Sequence, residues 1–284
     1  PREQFDILVK QCGSDRYYKT LFSWEQLMIM LFGIFSRCDS MGEVCDGMRA
    51  LSGKLSYLGM DCAPSKSTAG DALRDRSEEL FRLYYFALIA YFRLLLSVSR
   101  KEKVSFEEFY AFDSTTITLF SQVMKGVGRD PKGDGKKKGG LKVHMLTDVH
   151  ADTAIFAKIS EAKMHDKKFL AHLNPGKGSM LVFDKAYNFY QQFAQWTEEG
   201  VNFVCRLKDN AKVQLQEVLF EKTLQKEESG VYKVEHIHLE YKKDKRPEIL
   251  CLRLVYYKDE QGRKYKFITN NWEISPEEVV LIDK

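Results

Sequence analysis

The chain has 284 residues, of which 44% are apolar, 13% aromatic and 30% charged, and its formal net charge is +4. This composition is typical of globular proteins with buried cores and excludes collagen-like, coiled-coil and low-complexity chains. The longest apolar stretch, residues 80–98, contains Arg82 and Arg93, so it predicts a buried helix rather than a membrane span of roughly 20 apolar residues.

The six cysteines are irregularly spaced and form no CxxC motif. Disulfide frameworks are typical of small secreted chains, and no signal-peptide pattern stands at the N-terminus. We therefore expect free thiols, a cytoplasmic location and no association with a membrane.

Residues 1–103 carry apolar side chains at helical spacing. Ser23, with Gln26 three residues later, predicts an N-terminal capping box for one helix. A second, long amphipathic pattern follows residues 64–68 and runs through Arg74 and Arg76. Helices joined by short polar turns are typical of DNA-binding bundles and equally of plain helical packing. Of these two interpretations, our domain assignment takes residues 1–103 as a helical DNA-binding region.

From about residue 105 the apolar period shortens from about 3.6 to about 2 residues, which indicates strands. Three consecutive strands followed by alternating helix and strand is the element order of an RNase H-like α/β core. The sequence therefore predicts a mixed sheet, with residues 104–208 as the first part of this core. The predicted strands are 109–120, 141–149, 153–160, 179–184 and 201–207, and the predicted helices are 165–173 and 189–199.

Residues 209–266 combine strand patterns with heavy charge and predict a β-rich insertion, with strands at 231–241, 248–257 and 264–269. Residues 267–284 are expected to return to the core. Ser275 followed by Pro276 predicts the start of a final helix.

Asp113 and Asp184 each follow an apolar run at the end of a predicted strand. In a sheet of this order the first and fourth strands are neighbours, so the two carboxylates would lie within reach of shared metal ions. A pair of magnesium or manganese ions would offset their repulsion and activate a nucleophile at a phosphodiester. The alternative is that each aspartate is a turn residue that ends its strand, but the pair together favours a metal site.

Other residues near these strands are candidates for contacts with DNA. Lys136, Lys137 and Lys138 lie in a glycine-rich loop whose positive charge suits phosphate attraction, although a solvated loop is the alternative. Lys142 and His144 share one face of the second strand, which either meets a phosphate or is simply solvated. Tyr187 either stacks on the substrate or packs in the core.

Other metal and cofactor motifs are weak or missing. His236 and His238 share a strand face, but no cysteine or carboxylate stands near them at ligand spacing, so a zinc site has little support. The sequence contains no GxGxxG, Walker loop, HExxH or GxSxG motif. Nicotinamide, ATP-loop, zinc-protease and serine-hydrolase functions therefore have no support.

Five ordered motifs carry a resemblance to a known family. They are AFDSTT at 111–116, GGLKVHMLTD at 139–148, HD at 165–166, DKAY at 184–187 and FITNN at 267–271. Together they resemble the DDE transposases of bacterial insertion sequences, and more narrowly the insertion-sequence-four family. The resemblance implies an RNase H-like core and magnesium-dependent cut-and-paste transposition through a hairpin. It also implies transposon-end and target DNA as partners, a homodimeric synaptic complex and a nucleoid-associated bacterial protein.

By this resemblance, Asp113 and Asp184 are the first two members of an acidic triad. Family members often carry Arg-Gly between the second acid and the tyrosine; Lys185 keeps that charge, and we take Lys185 and Tyr187 as candidate DNA contacts. The third member, a glutamate in a Tyr, Arg, Glu, Lys signature, has no counterpart, so we expect a chain truncated before it. Glu277 and Glu278 are interpreted as residues of a first helical turn. The predicted function is DNA cleavage and strand transfer; the alternatives are an inactive DNA-binding remnant and an RNase H-fold nuclease or resolvase.

Overall fold

A computed structural model describes residues 1–98, 106, 108–118, 140–162, 169–225 and 228–283. The chain forms two compact units, Pro1–Leu95 and Leu96–Lys284. The predicted boundary at residue 103 falls outside the described residues. None of the described helices is long and apolar enough to cross a bilayer.

The first unit is helical, as the sequence predicts. Its apolar core is built around Ile29, Val44, Met48 and Leu55, which are all buried. A short 3-10 helix, Ser52–Leu58, precedes the fourth of its five α-helices. These are α1 (Arg2–Cys12), α2 (Ser23–Phe35), α3 (Met41–Ala50), α4 (Lys66–Asp75) and α5 (Glu79–Val98).

Two local predictions in this unit were wrong. The predicted Ser23 capping box does not form, because Ser23 is buried and its hydroxyl donates to Asp15 Oδ1 at 2.7 Å. The Glu25 carboxylate instead accepts the Phe22 backbone N–H. The long helical pattern through Arg76 is broken there, because the Arg76 backbone is extended and ends α4. The Arg76 side chain lies 3.8 Å from the Tyr18 ring and donates to Gln26.

The described residues of the second unit form one nine-stranded mixed sheet. Its strands are β1 (Phe109–Thr118), β2 (Gly140–Asp148), β3 (Thr153–Glu161), β4 (Met180–Phe183), β5 (Asn202–Arg206), β6 (Val213–Glu221), β7 (Gly230–Lys243), β8 (Arg246–Lys258) and β9 (Lys264–Thr269). Their order in the sheet is β3-β2-β1-β4-β5-β9-β8-β7-β6. The antiparallel pairs β1–β2 and β2–β3 form the predicted meander, and β1–β4 and β4–β5 are parallel. This confirms the predicted α/β class and RNase H-like strand order.

The predicted β-rich insertion continues this sheet and is not a separate layer. Strand β9 pairs with both β5 and β8, so the strands between residues 209 and 266 extend the core hydrogen-bond ladder. The sequence missed β6, whose residues are almost all exposed because it lies at the edge of the sheet. An edge strand exposed on both faces lacks the clear polar and apolar alternation that identifies a half-buried strand.

Two of the described helices pack on opposite faces of the sheet. Helix α6 (Tyr190–Glu199) packs Phe193 and Trp196 against Phe183 and Phe203. Helix α7 (Pro276–Asp283) covers the other face. Its buried residues Val279, Val280 and Ile282 pack against residues of that face, including Met180 and Val204. The first four residues of the predicted helix at 165–173 fall outside the described residues, and the other five contain a short 3-10 helix at Leu170–His172.

Candidate active site

Asp113 and Asp184 are neighbours at one end of the parallel pair β1–β4. The register joins Ala111 to Val182 and Phe112 to Phe183, so each aspartate is the next residue after a paired position. Neighbouring strands lie roughly 4.8 Å apart. Both aspartates are exposed. The predicted adjacency of the first and fourth strands is therefore confirmed.

The buried residues before each aspartate fix this end of the sheet. The Phe112 ring lies 5.1 Å from the Phe169 ring and 4.6 Å from the Tyr187 ring, while Phe183 packs in the same cluster. Successive side chains of a strand alternate between the faces. The residues that follow these phenylalanines therefore lie toward the face that α7 covers, where Asp113 Oδ1 accepts the Ser114 backbone N–H at 2.7 Å.

Arg206 and Asp283 adjoin the aspartate pair and were missed in the sequence. Since β4 pairs with β5 at Phe183 and Cys205, Arg206 is the next residue beside Asp184. Arg206 donates from Nε and Nη2 to Asp283 Oδ2 at 2.8 and 2.6 Å, which ties α7 to β5. Burial raises the pKa of Asp283, Arg206 opposes that shift, and the charge of Asp184 adds to it. Only knowledge of how α7 docks on the sheet could have revealed this pair.

We expect Arg206→Met to destabilise the protein more at neutral than at acid pH. The Asp283 side chain is 7% exposed, so without Arg206 its pKa would rise further above the ordinary 3.8. A group that binds its proton more tightly in the folded state loses stability as pH rises through that raised pKa. Because Arg206 is itself 41% exposed, we expect a loss of about 1–3 kcal/mol at pH 7, less than for a fully buried pair.

Urea unfolding between pH 4 and pH 8, a range that begins near the ordinary aspartate pKa, measures this effect. The double variant Arg206→Met with Asp283→Asn should lose the excess pH dependence, and Arg246→Met, at an exposed arginine, serves as the control. An equal loss of stability at both ends of the pH range would contradict the proposed charge effect.

The acidic residues of the first turn of α7 have a structural role. Glu278 accepts the Ser275 backbone N–H at 2.7 Å, and Ser275 Oγ accepts the Glu278 N–H at 3.1 Å. This reciprocal pair is a capping box. It confirms Ser275 as the residue at which the final helix begins, and it engages the Glu278 carboxylate in the cap.

Lys142 and His144 do share a strand face, but that face is interior. His144 is fully buried, and its ring stacks on Phe169 at 4.4 Å and on Phe112 at 6.2 Å. Its Nε2 lies 3.0 Å from Ser160 Oγ. Lys142 is 5% exposed. The burial of both side chains corrects the two predicted phosphate contacts and their solvated alternative, and the Phe169 ring covers His144.

The DKAY residues divide between the core and the surface. Tyr187 is 1% exposed and packs edge-on against Phe112, which corrects the substrate-stacking hypothesis in favour of core packing. Lys185 is half exposed and lies 3.6 Å from the exposed Asp209. Among the predicted DNA contacts within the described residues, Lys185 alone reaches the surface. The lysines of the glycine-rich loop fall outside the described residues.

An open cavity of about 390 Å³ borders the Arg206–Asp283 ion pair. Arg263 and Tyr265 also line it, and Arg263 is paired with Asp259 at 2.6 Å. The lining therefore combines two ion-paired arginines and aromatic side chains with the carboxylates of Asp259, Glu260 and Asp283.

The donor atoms at the aspartate pair suit a hard divalent cation. Within the described part of the chain, no lysine or arginine lies within ion-pair distance of Asp113 or Asp184. Cys205 is fully buried, and burial raises its pKa well above the ordinary value, so this nearby thiol stays protonated. Two exposed carboxylates without a soft ligand fit magnesium or manganese.

Two family models match the chain. Residues 104–282 match the family described as transposase DDE domain, and residues 1–61 match a domain of unknown function, DUF4372. The comparison with curated proteins gave no significant match. The longer match contains Asp113, Asp184, Arg206 and every strand of the sheet.

Proposed function

Since the chain belongs to the transposase DDE domain family, we propose that it cleaves DNA at the ends of an insertion sequence and joins the cut strands to a target. The observation that carries this proposal is the parallel register that sets Asp113 beside Asp184. The motif order further supports membership of the insertion-sequence-four family.

Asp113 and Asp184 would hold the metal ions of the reaction. Bound magnesium or manganese would supply an activated oxygen nucleophile and stabilise the leaving oxygen of the phosphodiester. The protein's own part is to hold both carboxylates on strands whose preceding phenylalanines are buried. A site supported by a packed core keeps its groups within the narrow geometry that such catalysis requires.

Cationic groups near the site would attract the DNA backbone. Lys185 follows Asp184 directly and is half exposed, and Arg206 is partly exposed beside it. Lys136, Lys137 and Lys138 would add phosphate contacts from the glycine-rich loop. Such contacts bind DNA without reading its sequence. The proposed partners are double-stranded transposon ends, target DNA and a second protomer in a synaptic complex.

Changing Lys136, Lys137 and Lys138 together to alanine should weaken binding to all DNA sequences alike. Each lost phosphate contact removes the release of about one counterion, so the slope of log K against log salt should fall by up to about 2.7. Fluorescence anisotropy at several salt concentrations measures the slope. Lys242, Lys243 and Lys245, exposed lysines of the β7–β8 turn, form a control of equal charge change. An unchanged slope would return the loop to its solvated interpretation.

The function is tested with DNA that carries the element's own ends. A full-length version of the protein, with the third carboxylate that the family resemblance implies, is incubated with this DNA, magnesium and a supercoiled target, and cut ends and joined products are separated on gels. Cleavage followed by joining is the expected result. Binding without cleavage would contradict the proposal and indicate a DNA-binding remnant, whereas cleavage without joining would indicate a nuclease or resolvase.

A further inference from the structure

Three side chains of the β7–β8 hairpin converge on one point. One ligand atom each of His236, His238 and Cys251 lies within 4.8 Å of the other two. His238 pairs directly with Cys251 across the strands, and His236 stands two residues away on the same face. The cysteine is far from the histidines in the sequence, so only the hairpin register brings the three together.

We propose that this cluster binds a zinc ion. Two imidazole nitrogens and a thiolate are ligands that zinc prefers, and water would take the fourth tetrahedral position. Ligands at zinc distances of about 2.0–2.3 Å lie roughly 3.3–3.6 Å apart. Side-chain rotations that move each ligand atom by about 1 Å would bring the three atoms from within 4.8 Å of one another to these separations. The Cys251 thiol would lose its proton to solvent as the bond to zinc forms.

The environment of His236 supports a bound cation. Its Nε2 is buried and makes no hydrogen bond within the described residues. A buried polar atom without a partner costs roughly 1–3 kcal/mol, and a bond to zinc would remove that cost. The ring is held edge-on to the Trp272 ring at 5.2 Å and to the His238 ring at 5.4 Å, so its orientation is fixed before an ion arrives.

Two charged residues pair with His236 on the neighbouring strands. Arg253 stands opposite His236, but its guanidinium donates to the carbonyl oxygens of Trp272 and Ile274. On the other side, Glu217 of β6 pairs with His236 and is exposed. This carboxylate would offset part of the charge of a bound zinc ion.

The proposed zinc site is distinct from the aspartate pair. Strands β5 and β9 separate β4 from β8 in the sheet, which places the sites at least roughly 14 Å apart at about 4.8 Å for each strand step. Their donors also differ, because oxygen ligands favour magnesium, whereas nitrogen and sulfur favour zinc. A zinc ion here would crosslink β7 to β8 and stabilise the extended part of the sheet.

Metal analysis and cobalt substitution test the proposal. The purified protein should contain about one zinc ion per chain. Cobalt bound in its place should give the intense visible bands of tetrahedral Co²⁺ and a near-ultraviolet thiolate-to-cobalt band. Cys251→Ser should abolish the thiolate band, and His238→Ala should weaken cobalt binding at least about tenfold. Cys62→Ser, which changes an exposed cysteine of the first unit, should leave both unchanged.

Cobalt titration of the wild-type protein tests the zinc proposal even if a variant fails to fold. Circular dichroism would reveal such a failure. Wild-type protein that takes up no cobalt, or binds it without a thiolate band, overturns the proposal. So does a Cys251→Ser variant that keeps the band. Asp113→Asn with Asp184→Asn should retain the band, and its loss there would contradict the separation of the two sites.

Discussion

In a full-length version of the protein, Asp184→Asn is expected to reduce DNA cleavage by about a thousandfold or more while leaving DNA binding nearly unchanged. The amide keeps the size of the side chain but removes the charge with which the carboxylate would hold a metal ion. A thousandfold loss corresponds to roughly 4 kcal/mol of transition-state stabilisation, which is within the contribution of a metal ion to phosphoryl chemistry. Asp113→Asn should have the same effect, because the two residues occupy adjacent positions of β1 and β4.

Single-turnover cleavage of labelled end DNA measures this loss, and a gel-shift assay measures binding. Asp209→Asn is a matched control, since Asp209 is an exposed carboxylate 3.6 Å from Lys185. It should cleave within about threefold of the parent, as surface substitutions rarely matter. Cleavage by the Asp184 or Asp113 variant at the parental rate would refute the proposed metal ligands.

Phe203→Ala is expected to destabilise the second unit by about 3–5 kcal/mol, which is typical of a phenylalanine removed from a packed core. Phe203 is fully buried on the central strand β5, and its ring lies 4.6 Å from the Phe193 ring and 6.2 Å from the Phe183 ring. Since Phe183 precedes Asp184, the loss would also loosen the strand that carries the proposed ligand.

Thermal unfolding should show a drop in Tm of roughly 6–20 °C, given about 2–4 °C per kcal/mol for a domain of this size. Phe220→Ala makes the same chemical change on edge strand β6, where the side chain is 44% exposed. It should cost less than about 1 kcal/mol. Similar losses in both variants would mean that Phe203 does not stabilise the core as its burial implies.

The sequence predicted those features that depend on local pattern. The strand periods around Phe112 and Phe183 identified β1 and β4, and the strand order then set Asp113 beside Asp184. Ser275 followed by Pro276 marked the start of α7, because an N-cap and a proline at the first helical position are signals carried by neighbouring residues. Alternation correctly placed Lys142 and His144 on one face, but alternation does not say what covers a face.

The features missed in the sequence depend on contacts between distant segments. His144 is buried because Phe169 packs over it. Arg206 meets Asp283 only once α7 has docked. Cys251 joins His236 and His238 through the register of a long hairpin. A shift of one residue in that register would turn Cys251 to the opposite face, and no local sequence signal fixes it.

The pairing of β5 with β9 has a consequence for the folding of the nascent chain. Val204 of β5 pairs with Thr269 of β9, and the three strands between them in the sequence form the outer part of the sheet. Closing so long a loop before its contacts form slows folding. While the ribosome synthesises those strands, one edge of the β5 backbone remains unpaired and faces water. The edge of β5 that lies beyond the two aspartate-bearing strands is therefore paired only after β9 has been synthesised.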